Sequence, residues 1–302
     1  MNETVKNTPL FSGNDLIKLI IPLIIEQTLA VSIGLIDTIM VSSVGEAAVS
    51  GVSLVDSVNT LLIQILSALA TGGAVVCSQY MGKNDKETVK RSAGQLVYVM
   101  TLCSTFLMLI VLFFNRLILR GIFGKIDADV MNYARIYFIL SAISYPFLGL
   151  YNAGAALFRS IGDSKTSMIS SLIMNILNIG GNYILIFIFD LSVTGAAIAT
   201  LISRIISAVF IMFLIINKDT MVRIDNIRYL KPDNYIIGKL LKIGIPSGLE
   251  NGMFQIGKLA VSSLTSTFGT SAIAANSIAS NVSSFSNIPG NAMGLAMVTV
   301  VG

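Results

Sequence analysis

Two carboxylic acids interrupt the first apolar stretch of this sequence, LIKLIIPLIIEQTLAVSIGLIDTIM, residues 16–40. Glu26 and Asp37 are eleven residues apart, close to three helical turns, so they lie on one helix face about 16 Å apart along its axis. A charge inside a membrane costs ~2.5–3.5 kcal/mol and usually faces a bundle interior or a water-filled path. The pair therefore predicts a path for a proton or a cation. The simpler alternatives are a helix-end acid at Glu26 and a structural hydrogen bond at Asp37.

Amide and hydroxyl side chains that can assist an acid recur in two later apolar stretches. The stretch SSLIMNILNIGGNYILIFIF, residues 170–189, carries three asparagines on one helical stripe: Asn175, Asn178 and Asn182. The next stretch has Thr200 and Arg204 at positions i and i+4. Beside Asp37, oxygens of these side chains can either coordinate Na⁺ or help to hold a proton. Hydrogen bonds between helices are the alternative role for the amides, and Arg204 either neutralises an acid or extends toward the membrane surface.

The composition indicates the elements that hold these residues. Of 302 residues, 54% are hydrophobic and 12% are charged, against roughly 25% charged in soluble domains. A helix needs ~20 apolar residues to cross a membrane, and we predict a polytopic all-α protein with no removable signal peptide. Its eight predicted spans are about 17–43, 52–76, 92–115, 131–154, 166–189, 194–217, 239–264 and 272–300. Cys77 and Cys103 are isolated and the sequence has no His, so disulfide, zinc and haem sites are unsupported.

Basic residues near the predicted helix ends indicate the orientation. With a cytoplasmic N-terminus, fourteen Lys and Arg residues fall in inside segments, among them Lys6, Arg159 and Lys218, and four fall outside: Arg116, Arg120, Lys125 and Arg135. The positive-inside rule then predicts a multi-pass protein of the inner (plasma) membrane with its N-terminus in the cytoplasm. The net charge of +4 fits contact with the lipid bilayer, and we expect no nucleic-acid partner.

An internal repeat organises the predicted helices. At one constant offset along the chain, Lys18, Pro22, Glu26, Gly45, Ala48 and Ser53 correspond to Lys242, Pro246, Glu250, Gly269, Ala272 and Ser277. Six helices separate the two starts, so the copies are parallel repeats about an axis along the membrane normal. We predict a six-helix lobe at 1–217, a cytoplasmic linker at 218–238, and the first two helices of a second lobe at 239–302. On this prediction the chain is a fragment of a longer protein that contains two complete copies of the repeat.

Several motifs, in this order and spacing, resemble the multidrug and toxic compound extrusion (MATE) transporters. They include GLIDTIMVSSVGEAAVSG, LFRSIGDSKTS, NILNIGGNYILIF and GIPSGLENGMFQIGKL. The resemblance implies twelve helices in two lobes and export of drugs or metabolites in exchange for H⁺ or Na⁺. It also implies a coupling site at Asp37, Asn178, Asn182 and Thr200. Asn182 stands where an Asp is common, which favours proton coupling through Asp37 over tight Na⁺ binding. Gln255 stands where some relatives have an essential Glu, and Glu250 is the acid that this sequence has instead.

We therefore expect a secondary antiporter and no enzyme. The sequence has no GxxxxGK[ST] phosphate loop, and we expect no cofactor beyond the coupling H⁺ or Na⁺. The expected substrate is a small cationic amphiphile, held near Glu26, Glu250 and Gln255 by a protein that acts as a monomer. The alternative is a lipid-linked saccharide flippase of a related two-lobe family. At the repeat offset Asp37 corresponds to Val261, so the deep acid belongs to the first repeat only.

Overall fold

A computed structural model describes residues 13–124 and 126–301, and the side chains of Ile227 and Asn281 are not described. The N-terminal tail with Lys6, the loop residue Lys125 and Gly302 lie outside the described residues. Across the described ranges the secondary structure is helical, without strands, which confirms the all-α prediction. The helices are α1 Gly13–Ser42, α2 Glu46–Gly82, α3 Lys86–Phe123, α4 Ala128–Ile143, α5 Tyr145–Ser160, α6 Ser164–Asn182, α7 Ser192–Asn217, α8 Asn234–Ser266, α9 Thr270–Ser286 and α10 Ile288–Val301. A π-helical segment, Tyr183–Ile188, extends α6, and a short 3₁₀ helix, Ile227–Leu230, precedes α8.

Two predicted spans are broken rather than continuous. The fourth span consists of α4 and α5, which meet at Ser144 with a bend of 50°. The eighth consists of α9 and α10, which meet at Asn287. In each case a proline, Pro146 or Pro289, follows the break by two residues and lacks the N–H that would continue the helical hydrogen bonds.

Five of the described helices are long and apolar enough to cross a membrane: α1, α2, α3, α6 with its π-helical extension, and α7. The bent pair α4–α5 makes a sixth span if it is counted as one. The predicted seventh and eighth spans fall outside this set. Helix α8 carries Lys239, Lys242, Glu250 and Lys258, and α9 and α10 are individually short. Large apolar side chains on α3 point outward, with Phe113 79% and Leu117 69% exposed, as expected for contact with lipid tails.

Three helices begin with the same capping device at one end of the bundle. The carboxylates of Asp85 and Asp163 accept backbone N–H bonds from Thr88 and Thr166, both at 3.1 Å, at the starts of α3 and α6. Asp233 accepts two such bonds at the start of α8. Because the first N–H groups of a helix have no partner inside the helix, an Asp at this position fixes where the helix begins.

The turns after α1 and α8 correspond at the predicted repeat offset. Helix α1 ends at Ser42 and α8 at Ser266, while α2 begins at Glu46 and α9 at Thr270, and both pairs match in the register of the repeat. Each turn holds a glycine with positive φ, +135° at Gly45 and +96° at Gly269, a conformation that other residues rarely adopt. The correspondence supports the repeat, whereas the division into two lobes stays a prediction.

Helices from the two copies of the predicted repeat contact each other. Helix α8 runs along α2, and α1 contacts α9 and α10. The α2–α8 contact is close, since a Cβ added to Gly72 would lie 2.7 Å from the backbone nitrogen of Gly244. Near the start of α1, Leu19 and Leu23 pack on Ala292 and Ala296 of α10. Helix α1 is therefore held between α6, which carries the asparagine stripe, and the second copy.

Candidate functional site

A row of hydrogen-bonded polar side chains, which we call the Asp37 chain, links α1, α6 and α7 inside the bundle. Its members are Asp37, Asn182, Asn178 and Thr200. The amide nitrogen of Asn182 donates to a carboxylate oxygen of Asp37 and lies 3.3 Å from Oδ1 of Asn178. The amide nitrogen of Asn178 donates to the Thr200 hydroxyl at 3.1 Å. All four side chains are buried. The structure therefore brings together the four residues of the predicted coupling site, while their role in ion coupling stays a prediction.

The three asparagines of the stripe do not share one role. Asn175 bonds back to the carbonyl of Ser171 within α6, at 2.9 Å, and so stays outside the Asp37 chain. Asn182 is the last residue of α6 before the π-helical segment. Its Oδ1 is buried without a hydrogen-bond partner among the described residues. A buried acceptor without a donor is costly, and this oxygen is available to a cation or to a protonated acid.

The donor set can hold a small hard cation as well as a proton. One carboxylate, two amide oxygens and one hydroxyl are oxygen ligands of the kind that hard cations prefer. In the described residues no group of three His, Cys, Asp or Glu side chains is placed to hold a metal ion. Asp37 is the one carboxylate in this chain of hydrogen bonds, which fits a monovalent ion better than a divalent one.

A second polar cluster, which we call the Asp56 cluster, lies on α2, α4 and α5. Asp56 is hydrogen-bonded to Tyr137 and to Asn59. The hydroxyl of Tyr145 donates to Oδ1 of Asn59 at 2.6 Å. Asp56 lies within electrostatic range of Asp37, on a helix that contacts α1. The sequence shows Asp56 as an acid in an apolar stretch, but its partners come from helices far away in the chain.

Arg204 connects the Asp56 cluster to the break in the fourth span. Its Nη1 donates to the hydroxyl of Ser144 at 2.6 Å, and Ser144 is the residue between α4 and α5. The guanidinium also interacts electrostatically with Asp37 and Asp56. Because Ser144 is fully buried, this hydrogen bond favours a position of the guanidinium inside the bundle over extension to the membrane surface.

Glu26 is engaged in a separate buried ion pair. Its Oε1 accepts from Nη1 of Arg159 at 2.7 Å, and its Oε2 accepts from the Ser167 hydroxyl at 2.6 Å. The carbonyl of Arg159 accepts from the Thr299 hydroxyl of α10, also at 2.6 Å. Arg159 is only 9% exposed; the orientation count included it as a basic residue near a helix end, and the structure places it in the last turn of α5 with its guanidinium in this buried pair. Both Glu26 oxygens are satisfied, which favours a structural role over a substrate contact in this conformation.

The other predicted cavity residues lie on α8. Glu250 is exposed and Gln255 is half-buried. Lys258 is exposed and lies over the ring of Phe254, 5.0 Å from its centre. Among the described residues, no hydrogen bond joins Glu250 or Gln255 to Asp37 or to the Asp56 cluster. Their part in binding a substrate therefore stays a prediction.

The segment between α7 and α8 is fastened to α3. Gln95 donates to the carbonyls of Tyr229 and Lys231, at 2.8 and 2.6 Å, and accepts from the backbone N–H of Asp233 at 2.9 Å. The half-buried Lys90 ammonium donates to Asp225 and thereby holds the pKa of that carboxyl below its ordinary value. This segment positions the start of α8 and lies away from the Asp37 chain.

Comparison with known proteins adds independent information about the family. A family profile described as MatE matches residues 22–184. The chain is 29% identical over 289 residues to the uncharacterized transporter YisQ of Bacillus subtilis, covering 93% of this chain and 62% of that protein. It is 28% identical over 296 residues to the probable multidrug resistance protein NorM of Thermotoga maritima, covering 95% and 62%. The chain thus spans less than two thirds of the length of these relatives.

Solved structures share the fold. The chain superimposes with a TM-score of 0.85 on an outward-facing multidrug resistance MATE family transporter of the MOP superfamily, at 24% identity, covering 95% of this chain and 63% of that one. A MATE crystal structure in the bent conformation gives a TM-score of 0.83, also at 24% identity, covering 95% and 64%. At this identity the likeness shows the fold alone.

Proposed function

This chain belongs to the MATE family of multi-pass membrane proteins, and from that premise we propose that it works in a secondary active exporter. The exporter moves small organic compounds, cationic amphiphiles above all, out of the cell in exchange for H⁺ or Na⁺. Support comes from the names of two relatives, the probable multidrug resistance protein NorM and the multidrug export protein MepA of Staphylococcus aureus, the latter 28% identical over 261 residues. We place the chain in the inner membrane with its N-terminus in the cytoplasm, acting as a monomer.

The observation that carries this proposal is the hydrogen-bonded chain from Asp37 through Asn182 and Asn178 to Thr200. It joins three helices through side chains that can each bind to a cation or to a protonated acid. When a proton binds to Asp37, the amide of Asn182 faces a neutral acid instead of a carboxylate; when Na⁺ binds, the amide faces a carboxylate whose charge is balanced by the ion. The packing of α1 against α6 therefore depends on whether the ion is bound.

Helix α1 is placed to transmit this change. Its Asp37 region contacts α6, while its earlier turns, at Leu19 and Leu23, pack on α10 of the second copy. Pro22 lies inside α1 and lacks one helical hydrogen bond, so α1 can bend at this point; Gly34 is a second candidate bend point. Binding of the coupling ion then shifts the balance between two arrangements of α1, because the two arrangements bind the ion with different affinity.

The energy available to such a cycle is sufficient for export. Each elementary charge that moves inward across 100 mV contributes ~2.3 kcal/mol. A tenfold concentration gradient of an uncharged substrate corresponds to about 1.4 kcal/mol. For an uncharged substrate, one coupling ion per substrate can therefore sustain an outward gradient of more than tenfold at ordinary membrane potentials. Exchange of one monovalent organic cation for one coupling ion moves no net charge, so its driving force is the concentration gradient of the coupling ion.

The lipid-linked saccharide flippase is not favoured. That function calls for a basic central cavity to hold a phosphate-linked lipid. In the described structure Nη1 of Arg204 donates to the Ser144 hydroxyl, and Lys258 lies over Phe254. Neither side chain is shown to line a shared basic cavity.

The test is export of a fluorescent organic cation by the full-length gene product that carries this chain, reconstituted in vesicles. An imposed pH gradient and an imposed Na⁺ gradient are applied separately, and we expect one of them to drive export. Asp37→Asn should abolish the gradient-driven part, whereas Glu46→Gln, an exposed acid beyond the α1 turn, should retain it. Export that is the same with Asp37→Asn as with the unchanged protein would rule out Asp37 as the coupling residue.

A further inference from the structure

A basic and aromatic patch, which we call the Tyr80 patch, lies where the end of α2 meets the start of α8. Its members are Tyr80, Lys83, Tyr235 and Lys239. The Lys239 ammonium donates to the Tyr80 hydroxyl at 2.6 Å and lies 4.3 Å from the centre of the Tyr235 ring. The ammonium groups of Lys83 and Lys239 lie 5.7 and 5.0 Å from the centre of the Tyr80 ring. One aromatic ring therefore gathers two positive charges from segments that are far apart in the chain.

The Tyr80 patch lies at one end of a membrane-spanning helix. Helix α2 is long and apolar enough to cross a membrane and ends at Gly82, so Tyr80 belongs to its last turn and Lys83 follows it directly. Lys83 is exposed, and Tyr235 is 68% exposed. Tyrosine rings are enriched at membrane–water interfaces, and basic side chains beside a span interact with anionic headgroups. The position of the patch therefore suits contact with lipid headgroups.

The two lysines of the patch are not neutralised by acids within the described residues. None of the ion pairs there includes Lys83 or Lys239. The acids nearest to them in the chain, Asp85 and Asp233, accept backbone N–H bonds at the starts of α3 and α8. An ammonium group has three N–H donors, and the hydrogen bonds of Lys239 to the two tyrosines of the patch leave at least one. Donors of both lysines are therefore available to an anion.

The surface beside the Tyr80 patch is also basic. Tyr235 lines a cleft between α3 and the segment that precedes α8, and the basic residues of this cleft are Arg91, Arg228 and Lys231. The cleft also contains Glu87 and Asp233, but Glu87 accepts from the Tyr229 hydroxyl at 3.1 Å and pairs with Arg91. Arg228 and Lys231 are exposed. The charge around the patch therefore favours an anionic ligand over a cationic one.

We propose that the Tyr80 patch binds the phosphate group of an anionic phospholipid. The phosphate oxygens accept hydrogen bonds from the ammonium groups of Lys83 and Lys239, and the exposed Tyr235 ring lies beside the headgroup. Free phosphate has the same oxyanion chemistry, but the position of the patch at the end of a span favours a lipid. A lipid held by both lysines joins α2 to α8, and so joins the two copies of the repeat. This inference uses the membership of the chain in a family of membrane proteins and goes beyond the transport function proposed above.

The experiment measures binding of phosphatidylglycerol, labelled on its acyl chain, to the purified full-length gene product in micelles of an uncharged detergent. Phosphatidylcholine with the same chains is the comparison, because its choline group cancels the phosphate charge. We expect phosphatidylglycerol to bind about tenfold or more tightly than phosphatidylcholine, since each nearby Lys contributes about fivefold. The double variant Lys83→Gln with Lys239→Gln should reduce this preference to less than about threefold. Equal binding of the two lipids by the unchanged protein, or a double variant that keeps the preference, would overturn the proposal.

Single variants separate a site from general surface charge. Lys239→Gln should weaken phosphatidylglycerol binding about fivefold, whereas Lys239→Arg keeps the charge and should stay within about twofold. Lys165→Gln is the matched control, since it removes one exposed positive charge from the start of α6 and should also have less than a twofold effect. The proposal is wrong if Lys165→Gln costs as much as Lys239→Gln, or if Lys239→Arg does. Should the Lys239 variants not fold, the exposed Lys83→Gln decides alone, and no loss of binding would count against the patch.

Competition identifies the source of the phosphate group. Unlabelled phosphatidylglycerol should displace the labelled lipid, whereas inorganic phosphate at the same concentration should not. Equal displacement by both would show that the patch binds free phosphate and would overturn the assignment to a lipid. The readout is binding in detergent and does not depend on export, so its failure is distinguishable from a failure of the proposed transport function.

Discussion

Glu26 and Arg159 form an ion pair in the interior of the bundle, with 2.7 Å between Oε1 and Nη1, and it joins α1 to α5. The Ser167 hydroxyl satisfies the second oxygen of Glu26. Removal of one partner of such a pair leaves an uncompensated buried charge. The pair is therefore a fixed point about which α1 is oriented relative to α5 and α6.

We predict that Glu26→Gln destabilises the protein by about 3–5 kcal/mol, because Arg159 then keeps its charge without a counter-ion. The measurement is the midpoint of thermal unfolding of the purified protein in detergent. Glu250→Gln is the matched control, since Glu250 occupies the same repeat position but is exposed, and it should change stability by less than about 0.5 kcal/mol. Equal effects of the two substitutions would show that the ion pair has no special role.

A second prediction concerns the single carboxylate of the Asp37 chain. Asn182→Asp places a second carboxylate beside Asp37 and should tighten Na⁺ binding by about tenfold, because an added negative charge attracts a cation in a buried site. Binding of radioactive Na⁺ to the purified protein at alkaline pH measures this directly. Asn175→Asp is the control: Asn175 is on the same stripe but bonds back to Ser171, so it should bring no gain. A Na⁺ affinity unchanged by Asn182→Asp would exclude the Asp37 chain as a cation site.

The sequence predicted the members of the Asp37 chain, because Asp37 is an acid in an apolar stretch and helical spacing puts Asn178 and Asn182 on one face. The family resemblance groups these residues with Thr200 into one site. It did not predict the Asp56 cluster. Tyr137 and Tyr145 are ordinary aromatic residues of an apolar span, and only the fold places them beside Asp56. The ion pair of Arg159 was not predicted for the same reason, since its position near a helix end is visible in the sequence whereas its burial against Glu26 is not.

Helix positions were easier to predict than helix breaks. The register of Pro22 with Pro246 and of Gly45 with Gly269 anticipated the equivalent ends of α1 and α8. The breaks at Ser144 and Asn287 depend on how the freed carbonyl groups near a proline are satisfied, and hydropathy does not report this. Pro146 and Pro289 were the available signals.

A third prediction tests the close approach of α2 and α8. Gly72→Ala adds a Cβ 2.7 Å from the nitrogen of Gly244, so the two backbones must separate, at a cost of about 1–3 kcal/mol. Gly257→Ala, at a helical position with nothing within 4 Å, should instead stabilise α8 by about 0.5–1 kcal/mol. Thermal unfolding in detergent should therefore move in opposite directions for the two variants. A midpoint unchanged by Gly72→Ala would mean that the helices are not in contact there.

A fourth prediction concerns the segment between α7 and α8. Gln95 makes three hydrogen bonds to the backbone of this segment. The solvent-accessible Lys90–Asp225 pair contributes little, because water screens it. Gln95→Ala should release the segment and increase the rate of trypsin cleavage at the exposed Arg228 by about fivefold or more, since each lost hydrogen bond contributes about 1 kcal/mol. The rate is followed by mass spectrometry of the fragments, and Lys90→Met serves as the control with less than a twofold change.

If Gln95→Ala and Lys90→Met are cleaved at equal rates, the hydrogen bonds of Gln95 do not hold the segment. In that case the start of α8 is positioned by its own packing on α2, through Ile236 and Leu240 against Val76.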